Sequence, residues 1–149
     1  MDTRTKERDM VTGQVSAMTE EHADVELRLP ADNAYVSVLR TTTAGLAARL
    51  DFTIDDIEDL RIAVGEACAM ILPQADPGSD LRSWFHLQPG RLIITVGVEA
   101  ATAVAPDYDS FAWQVLTTLA TSAEVDVRHG LIAVSMTMES SAVSLGGGS

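Results

Sequence analysis

The stretch LDFTIDDIEDLRIAVGEACAMIL, Leu50–Leu72, decides how this chain is read. Thr53 stands where a helix N-cap belongs, and Asp55, Asp56 and Glu58 follow in the first turns, where carboxylates meet the positive end of the helix dipole. Ile54, Ile57, Leu60, Val64, Cys68 and Ile71 recur at helical spacing and predict a stripe packed on a sheet. Pro73 and the Asp76-Pro77-Gly78-Ser79 cluster close the helix. On its other side Ile62, Glu66 and Met70 fall at i, i+4 and i+8, so an acid shares a face with two apolar side chains.

Working outward, Val25, Leu27 and Leu29 alternate with Glu26 and Arg28, the period of a half-buried strand, which Pro30 ends. Asp32 can cap a helix reaching about Leu50, with Tyr35, Leu39, Thr42, Leu46 and Leu50 as its buried stripe, flanked by Val38. The opposite face, Asn33, Ser37, Arg40, Ala44 and Ala48, is made of small side chains and one cation. Downstream, Arg82 to Gln88 and Arg91 to Val98 predict a hairpin across Pro89-Gly90. After an irregular stretch, Ser110 can cap a third helix carrying Phe111, Val115, Leu116 and Leu119. Val125 to Val127 and Leu131 to Met138 predict a last hairpin across Arg128-His129-Gly130. This order describes one α/β domain, an α+β sandwich with a mixed, largely antiparallel sheet and helices on one face. It spans residues 24–140, with a disordered leader at 1–23 and a flexible tail at 141–149 ending in Gly-Gly-Gly-Ser.

The chain has 149 residues, 46% hydrophobic, enough for one sizeable core. No apolar run approaches the roughly 20 residues that span a bilayer, and residues 1–24 carry no signal-like stretch, so a cytoplasmic protein without a membrane partner is expected. Its net charge is −12. Residues 1–23 hold five acids (Asp2, Glu7, Asp9, Glu20, Glu21) and three bases (Arg4, Lys6, Arg8), leaving 17 acidic and 7 basic side chains, net −10, in the rest. Direct nucleic-acid binding is disfavoured, because phosphate affinity comes from clustered Lys and Arg. The acidity suits either steering toward a basic protein partner or solubility alone. Cys68, the single cysteine, reads as a small core residue. His22, His86 and His129 fall in separate elements as solvated or turn residues, with no metal-ligand spacing.

The Leu50–Cys68 segment resembles the N-box helix of bacterial anti-sigma factors of the serine-kinase type, in the GHKL (Bergerat-fold, histidine-kinase-like) ATPase superfamily, and the resemblance extends over about residues 25–138. Ser110 to Thr118, with Phe111 and Trp113, is similar to the degenerate third-helix region of actinobacterial stress and sporulation anti-sigma factors. The resemblance implies four requirements for ATP, of which Glu66 meets one, the general base. Met70 stands at the magnesium-binding Asn position, offering a soft thioether to a hard cation. Val98-Glu99-Ala100 stands where an Asp-x-Gly should read adenine, and Ser110-Phe111-Ala112 replaces the glycine-rich phosphate loop. Independently of any alignment, no glycine occurs between Gly97 and Gly130, which removes the usual means of building a phosphate cradle. Glu66 is then either a retained base or a carboxylate on the rim of a former pocket.

The resemblance therefore implies an anti-sigma factor that sequesters an alternative sigma factor of the stress or sporulation group without cofactor or metal. Release would come from an antagonist such as an anti-anti-sigma protein of the STAS type. The alternative is an active ATP- and magnesium-dependent serine kinase that phosphorylates such an antagonist, with Glu66 as base. A homodimer is implied in either case. In the family an Arg of the first helix contacts the sigma factor; Arg40 matches it by unbroken spacing back from Leu50-Asp51, and Val36 stands where a neighbouring family acid would be. An Arg there can pair bidentately with a carboxylate across a close helix contact.

Overall fold

The computed structural model describes residues 23–128 and 130–141. The expected leader up to His22, the tail from residue 142 and His129 lie outside the described residues. The elements are β1 (Val25–Pro30), α1 (Val36–Arg49), α2 (Ile54–Ile71), β2 (Asp80–Gln88), β3 (Arg91–Glu99), α3 (Phe111–Leu119), β4 (Ser122–Arg128) and β5 (Leu131–Glu139), with short 3-10 turns at Asn33–Tyr35 and Leu72–Gln74.

The five strands lie in the order β1-β2-β3-β5-β4, and every neighbouring pair is antiparallel. The mixed sheet expected from sequence is thus fully antiparallel. Two helices separate β1 from β2 and return the chain in the opposite sense. A single helix leads from β3 to β4, which run the same way, but β5 inserts between them.

Local sequence places the turns and caps. Gly90 takes φ 68°, and Pro89 before it has its φ fixed near −65°, so the β2–β3 hairpin closes in two residues with Gln88 opposite Arg91. Gly130 (φ 73°) does the same between Arg128 and Leu131, so Arg128 belongs to β4 rather than to the turn. Thr53 and Asp56 form a reciprocal capping box at the start of α2: Asp56 N donates to Thr53 Oγ1 (3.1 Å) and Thr53 N to Asp56 Oδ2 (3.4 Å). Ser110 Oγ accepts from Trp113 N (3.2 Å) at the start of α3. Asp32 caps the 3-10 turn that leads into α1, accepting from Ala34 N at 2.8 Å.

The core lies between the helices and one face of the sheet, where Leu60, Val64, Cys68 and Ile71 of α2 meet Phe85, Ile94, Val96, Val134 and Met136. Each large apolar side chain fully buried there stabilises the fold by about 1.5–3 kcal/mol. Ile54, predicted as part of the α2 stripe, is 80% exposed. It is the first helical residue and precedes the turns that reach the sheet, since Ile57 is partly buried and Leu60 fully. Phe111 is likewise 81% exposed at the first position of α3, leaving Leu116 as that helix's fully buried residue.

The buried stripe of α1 is Leu39, Thr43 and Ala47, supported by Val36, Leu46 and Leu50, whereas Tyr35 and Val38 are exposed. Thr43 tolerates full burial because its hydroxyl donates to Leu39 O at 2.9 Å. Relative to the predicted stripe the helix is rotated, and Arg40 moves from the far face to the flank of the buried one.

Candidate functional site

The residues singled out by sequence gather around α2. Glu66 and Met70 project from its last turns, Arg40 comes from the adjacent helix α1, and the 99–110 segment and α3 pack nearby. Glu66 is half-buried and makes no hydrogen bond or ion pair among the described residues. Met70 is partly buried and packs against the core together with Ala103 and Trp113.

Arg40 differs most from expectation. It is half-buried rather than projecting away, and its Cδ sits 3.9 Å from where a Cβ on Gly65 would stand. Its Nε is buried without a hydrogen-bond partner, and no ion pair joins it to Glu66. Burial pushes the Cys68 thiol up to about 12 against the opposing pull of the Arg40 guanidinium. A Cβ at position 65 would meet Arg40 only at ordinary van der Waals distance, so the seam does not require glycine there.

The 99–104 segment is pinned by two side chains whose role the sequence did not signal. Gln74 clamps Val104 as a strand would: Val104 N donates to Gln74 Oε1 at 2.8 Å and Gln74 Nε2 donates to Val104 O at 3.1 Å. Asp76 holds the other end, accepting from Ala101 N at 2.9 Å through Oδ1, while its own N–H donates to Glu99 O at 2.8 Å. Val98 and Ala100 are buried, and only Glu99 of that triplet reaches solvent. Within the same segment Tyr108 meets Trp113 edge to face, with centroids 5.1 Å apart. The signal for the clamp was the Gln74–Asp76 pair beside Pro73 and Pro77, legible as turn chemistry but not as a partner for residues 101–104.

Asp56 links this helix to the end of the sheet. Its Oδ2 accepts from Ser141 N and Ser141 Oγ, both at 2.9 Å. Burial pushes the Asp56 carboxyl up, but the hydrogen bonds from Ser141 and Thr53 together outweigh it and hold the carboxyl below its ordinary value.

No family profile matches the chain. It is 44% identical over 73 residues to serine-protein kinase RsbW of Halalkalibacterium halodurans, covering 48% of this chain and 45% of that protein. It is 40% identical over 81 residues to the proteins of the same name in Bacillus thuringiensis and Bacillus anthracis, covering 53% of this chain and 51% of each. The chain thus spans about half the length of the curated relatives it matches. Among the described residues no helix is long and apolar enough to cross a membrane. In sequence the chain is similar, over about half its length, to proteins named serine-protein kinase RsbW, and its α+β fold is consistent with a GHKL-like ATPase.

Proposed function

We propose that the protein is an anti-sigma factor that acts by stoichiometric binding: it sequesters an alternative sigma factor of the stress or sporulation group and blocks its engagement with RNA polymerase. An antagonist of the STAS type releases it by competing for an overlapping surface. The observation that carries this reading over a catalytic one is the state of the nucleotide region. Met70 stands at the metal-ligand position and packs against the core, and the Gln74 and Asp76 clamps tie down residues 99–104 beside it. Glycine is absent from 98 to 129, so backbone N–H groups lack the conformational freedom that a phosphate cradle uses. These residues do not fit magnesium-bound ATP, and Glu66 is then a relic of a base.

Sequestration needs affinity rather than chemistry, and two features support it. Arg40 is half-buried on the α1 flank, where the part of its side chain that reaches the surface can meet a partner's carboxylate. The net charge of −12 favours fast encounter with a basic partner. The kinase reading keeps two supports, the half-exposed Glu66 and the name serine-protein kinase borne by the relatives. Calorimetry with magnesium and ATP, followed by co-purification of a sigma factor with the nucleotide-free protein, tests the proposal. Sigma binding without nucleotide binding is expected. Micromolar ATP affinity, with phosphate transfer to an anti-anti-sigma protein abolished by Glu66→Ala, would establish the kinase instead. Sedimentation of the free protein tests the homodimer.

A further inference from the structure

Charge is spread unevenly over the helices and the segment that precedes α3. Residues 92–127 hold no lysine or arginine, and their acids are Glu99, Asp107, Asp109, Glu124 and Asp126. Residues 62–79 also lack a cation and carry Glu66 and Asp76. The reverse holds for α1, which has Arg40 and Arg49 and no acid. The two cation-free stretches meet in space: Gln74, just past α2, clamps Val104, Asp76 accepts from Ala101 N, and α3 packs on α2. In them Glu66, Glu99, Asp107 and Asp109 make no ion pair among the described residues.

Large apolar side chains stand in water in the same acidic region: Val104 is 65% exposed, Tyr108 52% and Phe111 81%. An aromatic side chain offers about 150–250 Å² in full, so the two rings leave roughly 200–330 Å² uncovered. With Val104 the surface reaches the roughly 300–600 Å² of the patches that monomers keep for function. Single exposed apolar residues carry no such meaning, but these are held together. The Gln74 clamp fixes Val104. Ser110 N donates to Asp107 O and Asp109 N to Asp107 Oδ1, both at 2.9 Å, so Tyr108 lies within a tight turn and Phe111 directly after it. Tyr108 also packs edge to face on Trp113. A patch on a pinned segment loses little freedom when it is covered.

We infer that this patch, Val104, Tyr108 and Phe111 among Glu99, Asp107 and Asp109, is a docking surface for an apolar, arginine-bearing segment of a partner protein. Covering the rings supplies affinity, and the unpaired carboxylates select a cationic occupant. Arginine suits both parts of the patch, since its guanidinium pairs with a carboxylate in a fork and stacks on an aromatic face. An acidic segment is repelled there, and so is an anionic lipid surface. The patch is separate from the α1 flank, whose cations suit a partner's carboxylates, and it does not rest on the sigma-binding reading.

The probe is a synthetic amphipathic peptide of leucine and arginine, titrated into the isotope-labelled full chain and followed by amide chemical shifts. Its control has glutamate in place of every arginine. Saturable shifts centred on residues 101–113 with the arginine peptide, and none with the glutamate peptide, are expected. Phe111→Ser should weaken binding about tenfold or more, as the loss of an aromatic anchor does. Asp107→Asn with Asp109→Asn keeps the acceptor for Asp109 N and should weaken binding several-fold while flattening its salt dependence. Ile54→Ser, at an equally exposed apolar residue outside the patch, should leave binding unchanged. Shifts centred on α1 or the strands, equal binding of the glutamate peptide, or equal losses in Ile54→Ser and Phe111→Ser overturn the proposal. The same shifts produced by phosphatidylcholine vesicles would make the patch a lipid contact and overturn it too. So would the same shifts on concentrating the protein alone as its mass doubles, because a second copy is then the cover. Should Phe111→Ser lose its circular dichroism, the paired Asn variant decides, and full affinity in it overturns the proposal.

Discussion

Gln74→Ala removes both arms of the clamp on Val104 and leaves the 3-10 turn that presents it. The two bonds, 2.8 and 3.1 Å, lie at the exposed rim of the fold, where each intramolecular hydrogen bond contributes about 0.5–1 kcal/mol net. Their joint loss should weaken local closure of the 101–104 segment by about 1–2 kcal/mol. Global stability should fall by less, since Asp76 still holds Ala101 and the core is untouched. The assay is native-state hydrogen exchange at Val104, whose N–H has the Gln74 carbonyl as its partner. A loss of about 1.4 kcal/mol corresponds to roughly tenfold faster exchange at that amide, with core amides such as Ile94 unchanged. Gln74→Glu refines the measurement: it keeps an acceptor for Val104 N but turns a carboxylate oxygen toward Val104 O, so the segment should open at least as far as in Gln74→Ala. Val104 exchange as slow in Gln74→Ala as in the parent chain would refute the clamp on residues 101–104.

Arg40→Ala should weaken sigma binding by about 2–4 kcal/mol if Arg40 pairs with a partner carboxylate in a desolvated contact, and by under about 1 kcal/mol if that contact lies on the rim. Ala44→Arg on the same helix should clash with a docked partner, and normal affinity in both variants by titration would move the site off α1. Cys68, its thiol pushed up to about 12 by burial, should resist thiol reagents at pH 8 in the native protein and react once it is unfolded in denaturant; stoichiometric labelling of the native chain would contradict this. Asp56 has its carboxyl held below the ordinary value in the fold, so its contribution is present above the unfolded pKa, near 3.8, and is lost as pH falls through the lower folded value. The stability gap between the parent chain and Asp56→Asn, read from urea midpoints, should therefore narrow as pH falls from about 6 toward 3, and a constant gap would be inconsistent with the Ser141 and Thr53 hydrogen bonds.

What the sequence determined by itself was the part of the fold encoded over a few residues. Thr53 and Ser110 cap their helices because each hydroxyl accepts from a first-turn amide only three residues on, Asp56 N and Trp113 N. Pro89-Gly90 and Gly130 close their hairpins because a positive φ is needed at one position and glycine supplies it. Alternation marked β1, apolar segments flanking turn residues marked the two hairpins, and the α2 stripe from Leu60 to Ile71 is buried as its period requires. Only the tertiary structure decided which of two adjacent threonines, Thr42 or Thr43, turns inward, since both have the same chemistry and the choice depends on how α1 rolls against α2. That roll brought Arg40 onto the α1–α2 seam over Gly65. Ile54 and Phe111 escaped burial because a helical period does not say where the sheet beneath the helix ends. The Gln74–Val104 clamp joins residues 30 apart and leaves no periodic trace, because it arises from a contact between segments whose separation in sequence carries no information about their meeting in space.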